Sequence, residues 1–141
     1  MALSEKSKAL KAGSLAEARR LGHRYVGTEH ILLAICRASH GPVIEILDRL
    51  DLDAHGLREQ IEASILSSGM PKRKEEIPFS PRALKTFDRS VEEAEVIGQK
   101  DADPEHVLLA LAQDEEGVAA RVLEVFGIDY ASIKRWCRKA E

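Results

Sequence analysis

The 141-residue sequence predicts an all-α protein of eight helices, arranged as two like halves of four helices each. Apolar residues recur at three- and four-residue steps throughout. No stretch alternates convincingly with period two. The chain also repeats itself: shifted by 76 positions, residues 14–61 lie over residues 90–137 without a gap. Self-similarity of this kind marks one supersecondary unit used twice.

Twelve aligned pairs are identical, among them Glu17/Glu93, Gly22/Gly98, Glu29/Glu105, His30/His106, Leu33/Leu109, Gly41/Gly117 and Asp53/Asp129. Many others are conservative, such as Ile31/Val107 and Leu57/Ile133. The matches fall on apolar positions and on residues that start or stop helices. A unit of about 70 residues buries only a thin core by itself. Two units packed together bury far more.

The elements follow in order. The first helix is expected near residues 5–21 and ends at Gly22; Gly13 within it costs about 1 kcal/mol against alanine. In the second half, Ala83, Phe87, Val91, Ala94 and Ile97 form one helical face, started by Ser80 and Pro81 and ended by Gly98. The second helix of each half is apolar nearly all round, through Ile31–Ile35 and Val107–Leu111. Such a helix belongs at the centre of a fold. A short third helix follows Gly41 and Gly117, and a fourth starts at Asp53 and Asp129.

One domain is expected over 1–141: repeat one at 1–66, a linker at 67–79 and repeat two at 80–141. The linker, SSGMPKRKEEIPF, reads as exposed from its Ser, Gly, Pro and charged residues. Its basic run, Lys72–Lys74, reads as a solvated loop.

Composition narrows the function. The chain is 44% hydrophobic and 32% charged, with net charge -3 and pI about 6.0. That balance argues against general nucleic-acid binding. Residues 71–141 carry all of the net negative charge, with acids clustered at Glu92–Glu95, Asp101–Glu105 and Asp114–Glu116. No apolar run reaches the roughly 18–20 residues of a membrane span, and no secretory leader is evident. A phosphate-binding GxxxxGK[ST] loop is absent. Cys36 and Cys137 form no metal pattern, and both are expected as free thiols in a reducing cytoplasm. His23, His40 and His55 lack metal-ligand spacing. No cofactor is expected.

HRYVGTEHILLAI at 23–35 resembles the Clp N-terminal repeat. FSPRALKTF at 79–87, EEAEVIG at 92–98 and PEHVLLALAQDEEGVAARVLEVFGID at 104–129 resemble its second copy. The similarity runs from about Leu3 to about Ile133, in order and in duplicate, and is greatest to the N-domains of ClpC/ClpA-type AAA+ unfoldases. It implies a pseudo-two-fold bundle on the rim of a hexameric unfoldase. There the domain receives client proteins and adaptors, and in ClpC-type members proteins phosphorylated on arginine. A docking module rather than an enzyme is implied. A second reading is a free-standing regulator that competes with such N-domains for clients, adaptors or a small inhibitory ligand.

The candidate site is the pair of loop-to-helix junctions, Gly27-Thr28-Glu29-His30 and Asp103-Pro104-Glu105-His106. Thr28 and Asp103 are natural N-caps. A helix N-terminus favours an anion, and a carboxylate takes a guanidinium in a bidentate pair. Phosphoarginine carries both groups. By similarity, Glu29 and Glu105 match the family's phosphoarginine-recognising glutamates. The second junction departs from the pattern: Pro104 removes a hydroxyl and an N–H, and Asp103 adds negative charge. It is expected to be impaired for phosphate and better suited to plain arginine or a basic peptide. A plainer reading also stands, in which acids in a first helical turn only complement the dipole. His30 and His106 are read as structural, Cys36 as a core residue rather than a nucleophile, and Trp136 as covering the core or an interface.

Overall fold

The computed structural model describes residues 2–38, 41–65 and 77–140. Among them eight α-helices run in chain order: α1 Glu5–Arg20, α2 Thr28–Cys36, α3 Pro42–Arg49, α4 Ala54–Ser64, α5 Pro81–Ile97, α6 Pro104–Gln113, α7 Val118–Val125 and α8 Tyr130–Ala140. The predicted all-α class is observed. Two dipeptide strands, β1 Ala2–Leu3 and β2 Asp101–Ala102, are added to it and pair in parallel.

The helix starts follow from local chemistry. Ser4 Oγ accepts from the Ser7 N–H at 3.2 Å, and Ser80 Oγ accepts from the Ala83 N–H at 3.1 Å. Each serine thereby satisfies one of the N–H groups a helix start leaves open. Asp53 does the same for His55 and Gly56, and Asp129 for Ser132. α5 stops at Gly98, whose φ of +90° suits only a residue without a side chain.

The two halves are related by an exchange. Leu3 pairs with Ala102, and Phe79 bridges Val26. The Ser4 N–H donates to the Ala102 carbonyl at 2.9 Å, and the Ser80 N–H donates to the Val26 carbonyl at 2.9 Å. The 76-residue offset carries each partner of one pair onto a partner of the other, so each repeat holds the other by the same bond. The helices exchange likewise. α3 packs on α6 and α8, while α7 packs on α2 and α4.

One core results, running through both repeats. Its centre is α2 against α6, where Ile31, Leu32, Leu33, Val107, Leu108 and Leu109 are all fully buried. Each such side chain contributes about 1.5–3 kcal/mol on burial. Trp136 lies partly buried against this core with the Arg49 guanidinium over its ring, 5.3 Å from the centroid.

The expected linker is corrected at its end. Ile77 is buried with Ala18 and Val26, and Phe79 forms the bridge just described, so 77–79 belong to the packed fold. The rest of that segment, with Lys72–Lys74, lies outside the described residues. Gly13 does not break α1; it lies against α2, where an added methyl group would meet Ala34 Cβ at an ordinary 3.5 Å. Gly13→Ala is therefore expected to raise stability by about 0.5–1 kcal/mol, read as a higher urea midpoint with an unchanged slope.

Candidate functional site

Each junction lies in a seam between the repeats. The first pocket, about 480 Å³, brings Tyr25, Gly27, Thr28 and Glu29 of repeat one against Ser80–Arg82 and Glu116–Val118 of repeat two. The second, also about 480 Å³, brings Asp103, Pro104 and Glu105 of repeat two against Lys6 and Gly41–Val43 of repeat one. The two pockets correspond under the pseudo-two-fold. Gly27, Thr28 and Glu29 thus share one pocket, Asp103 and Glu105 the other.

Three helix N-termini open on the first pocket, those of α2, α5 and α7. The N-cap of α2 is Gly27, which corrects the expectation that Thr28 caps it. Thr28 sits one residue inside, where its Oγ1 accepts the Ala119 N–H of α7 at 3.3 Å. Its hydroxyl therefore ties the junction to the opposite repeat. At the second junction Asp103 is the N-cap and Pro104 the first helical residue, as expected.

The histidines set the junctions from beneath. His30 Nδ1 accepts the Gly27 N–H at 2.8 Å, and His106 Nδ1 accepts the Asp103 N–H at 2.9 Å. His30 Nε2 lies 2.7 Å from His23 Nδ1. With Nδ1 accepting, the neutral His30 ring carries its proton on Nε2 and donates it to His23. Burial, reinforced by His23, pushes the His30 pKa down to about 4. The structural reading of both histidines is the one their bonds support.

The two glutamates differ in what surrounds them. Glu29 is only 8% exposed, and among the described residues its carboxylate makes no hydrogen bond or ion pair. It lies over Gly27: a methyl group at Gly27 would collide with Glu29 Oε1 and come within 3.2 Å of Tyr25 Cε2. Gly27 has extended backbone, φ -109°, and leaves the space over it to the end of the Glu29 side chain. Asp103 stands at the matching position, with a side chain of its own. Glu105 is 3% exposed. Both acids are thus largely buried at their junctions. The wall of the second pocket is mainly aliphatic, from Ala9, Leu10, Ala34, Ile35, Pro42 and Val43.

Sequence reasoning missed Tyr25, Arg82 and Glu116 because they lie outside the two junction tetrapeptides and reach the first pocket only when the repeats close. Arg82 is held by Asp114 at 2.5 Å and faces Glu116 at 3.7 Å. The available signal was Arg82 lying two residues beyond the Ser80 N-cap, as Lys6 lies two beyond Ser4.

Other candidate chemistry is absorbed by the fold. Cys36 is buried, and burial pushes its thiol up to about 12, which withholds the thiolate a nucleophile needs. Cys137 is buried, with Sγ 3.7 Å from the Glu105 carbonyl. Among the described residues no three His, Cys, Asp or Glu side chains group as metal ligands, and no helix is long and apolar enough to cross a membrane. His55 pairs with Glu59 at 2.8 Å, while His40 lies outside the described residues. Lys134 lies over Tyr130, 5.3 Å from the ring centroid.

The family model for the Clp repeat (R) N-terminal domain matches residues 2–126, and again 92–139. The chain belongs to the Clp repeat N-terminal domain family. It is 41% identical over 129 residues to the ClpA homolog ATP-binding subunit of the Clp protease from Porphyra purpurea, covering 90% of this chain and 16% of the relative. It is 42% identical to the chloroplastic chaperone protein ClpC1 of Arabidopsis thaliana, covering 90% and 14%. The chain thus spans about one-sixth or less of those relatives' length. Among solved structures, the N-domain of ClpV from Vibrio cholerae superposes with TM-score 0.82 at 16% identity, covering 98% of this chain and 84% of that one. The N-terminal domain of ClpD from Arabidopsis thaliana gives 0.71 at 22%, covering 97% and 92%. These likenesses show that the Clp N-domain fold is shared.

The His30 contacts generate a pH dependence. The native state holds this ring neutral, so its contribution is complete above about 6.5, its ordinary value, and is lost as pH falls toward about 4. The loss reaches at most about 3 kcal/mol. Urea unfolding of wild type and His30→Gln is expected to give a stability gap that narrows across this window.

Proposed function

We propose that this chain is a non-catalytic docking module that receives client or adaptor segments for a Clp-type unfoldase. Its first pocket takes arginine side chains, including phosphorylated ones. The observation that carries this reading is the Glu29 carboxylate, nearly buried, unpaired among the described residues and lining a cleft of about 480 Å³. A carboxylate without a protein partner at the edge of a cleft is free to take a guanidinium through two parallel charge-assisted bonds.

The same pocket also suits an anion. The N-termini of α2, α5 and α7 open on it, and Arg82 lines it. Helix N-termini and a guanidinium favour a phosphate, so the pocket offers complements to both ends of phosphoarginine. A phosphate competes with Asp114 and Glu116 for Arg82.

The second pocket serves differently in this proposal. Asp103 lines this pocket and adds negative charge to it, Pro104 offers no N–H, and Glu105 is set deeper. Phosphate is disfavoured there, while a plain arginine or a basic peptide is acceptable. Gly27, Thr28 and Glu29 are thus the principal binding residues, with Asp103 and Glu105 secondary. No nucleic acid or membrane partner and no cofactor enters the proposal. Its setting is a reducing, cytoplasm-like compartment in which Cys36 and Cys137 remain free thiols.

Isothermal titration of phosphoarginine into wild type, Glu29→Gln and Glu105→Gln is the test. Binding is expected to fall at least tenfold in Glu29→Gln, the loss of a charge-assisted pair of about 1.5–3 kcal/mol, and to change little in Glu105→Gln. Equal heats in wild type and Glu29→Gln would refute the proposal.

A further inference from the structure

We infer that Tyr25 makes the first pocket select arginine over lysine. The inference rests on the reading of Glu29 as the acceptor of a basic side chain, and it names what decides which base is accepted.

Tyr25 is a large aromatic residue left 49% exposed beside a nearly buried carboxylate. It lines the same pocket as Glu29. The two groups flank one point, because a methyl group on Gly27 would touch both Glu29 Oε1 and Tyr25 Cε2. The ring is also held in place. It stands edge-on to His30, with centroids 6.5 Å apart and planes at 82°. The next residue, Val26, is fully buried, and its N–H and carbonyl bond the Pro78 carbonyl and the Ser80 N–H, each at 2.9 Å. An aromatic wall is therefore in position before any ligand arrives.

A guanidinium is flat and weakly hydrated. Its edge pairs with a carboxylate while its face lies along an aromatic ring. An ammonium is a compact, strongly hydrated point charge, and it gains less from the same wall. At the corresponding place in the second junction stands Asp101, an exposed residue of β2. The second pocket thus has the family glutamate without the ring. The molecule contains its own control for what the ring adds.

The test uses two labelled peptides that differ only in one Arg or Lys, titrated by fluorescence anisotropy into wild type, Tyr25→Phe, Tyr25→Ala and Glu29→Gln of the full chain. Wild type and Tyr25→Phe are expected to prefer the Arg peptide. Tyr25→Ala is expected to lose about three- to tenfold on the Arg peptide and little on the Lys peptide, so the preference collapses. Far-ultraviolet circular dichroism checks that each variant is folded. An unchanged Arg-to-Lys ratio in Tyr25→Ala overturns the inference, and the docking reading survives if Glu29→Gln still abolishes binding. No binding of the Arg peptide to wild type, or binding indifferent to Glu29→Gln, overturns both.

Discussion

The structure depends on one reciprocal bond. The Ser4 N–H reaches the Ala102 carbonyl of the other repeat, and the Ser80 N–H reaches Val26 in return. These bonds place each repeat's leading segment beside the other's central helix. The need behind them is apolar. α2 and α6 are buried on every side, and a single four-helix unit cannot cover a helix all round. Each therefore takes a covering helix from the opposite repeat, α7 over α2 and α3 over α6.

The pockets follow from this exchange. The covering helix arrives with its own N-terminus, so each junction meets a helix start from the other half. Glu29 faces Gly117 and Val118, while Glu105 faces Gly41 and Pro42. A fold built this way produces two clefts of one geometry. Their chemistry is then free to diverge, because each cleft draws its two sides from different repeats.

Divergence is visible at matching positions. Glu17 is buried and bonded by Arg20 and Arg37; burial would raise its pKa, but the two guanidiniums outweigh that and hold it below its ordinary value. Its counterpart Glu93 is buried too, yet it accepts from the Tyr130 hydroxyl at 2.7 and 2.8 Å. An acid at one position is kept satisfied in two ways, as buried polar groups require. Gly27 and Asp103 differ with larger effect. The missing side chain lets Glu29 lie over Gly27 in the first pocket, while an added carboxylate lines the second.

The sequence by itself determined the class, the duplication and most helix limits. Ser80, Asp53, Asp129 and Gly98 act within one turn of themselves, and local bonds of that kind are legible from neighbouring residues. The apolar runs at Ile31–Ile35 and Val107–Leu111 announced the central helices for the same reason. Only the tertiary structure decided where the junction residues face and what they meet. Thr28 has the chemistry of a cap but spends its hydroxyl on Ala119, 91 positions away. Residues 77–79 have the composition of a loop but complete the pairing with Val26. Tyr25 and Arg82 meet in one cleft although 57 positions separate them. These relations depend on how one half folds over the other. Spacing along the chain records periodicity and punctuation, but it carries no measure of distance between segments that touch only after the halves close.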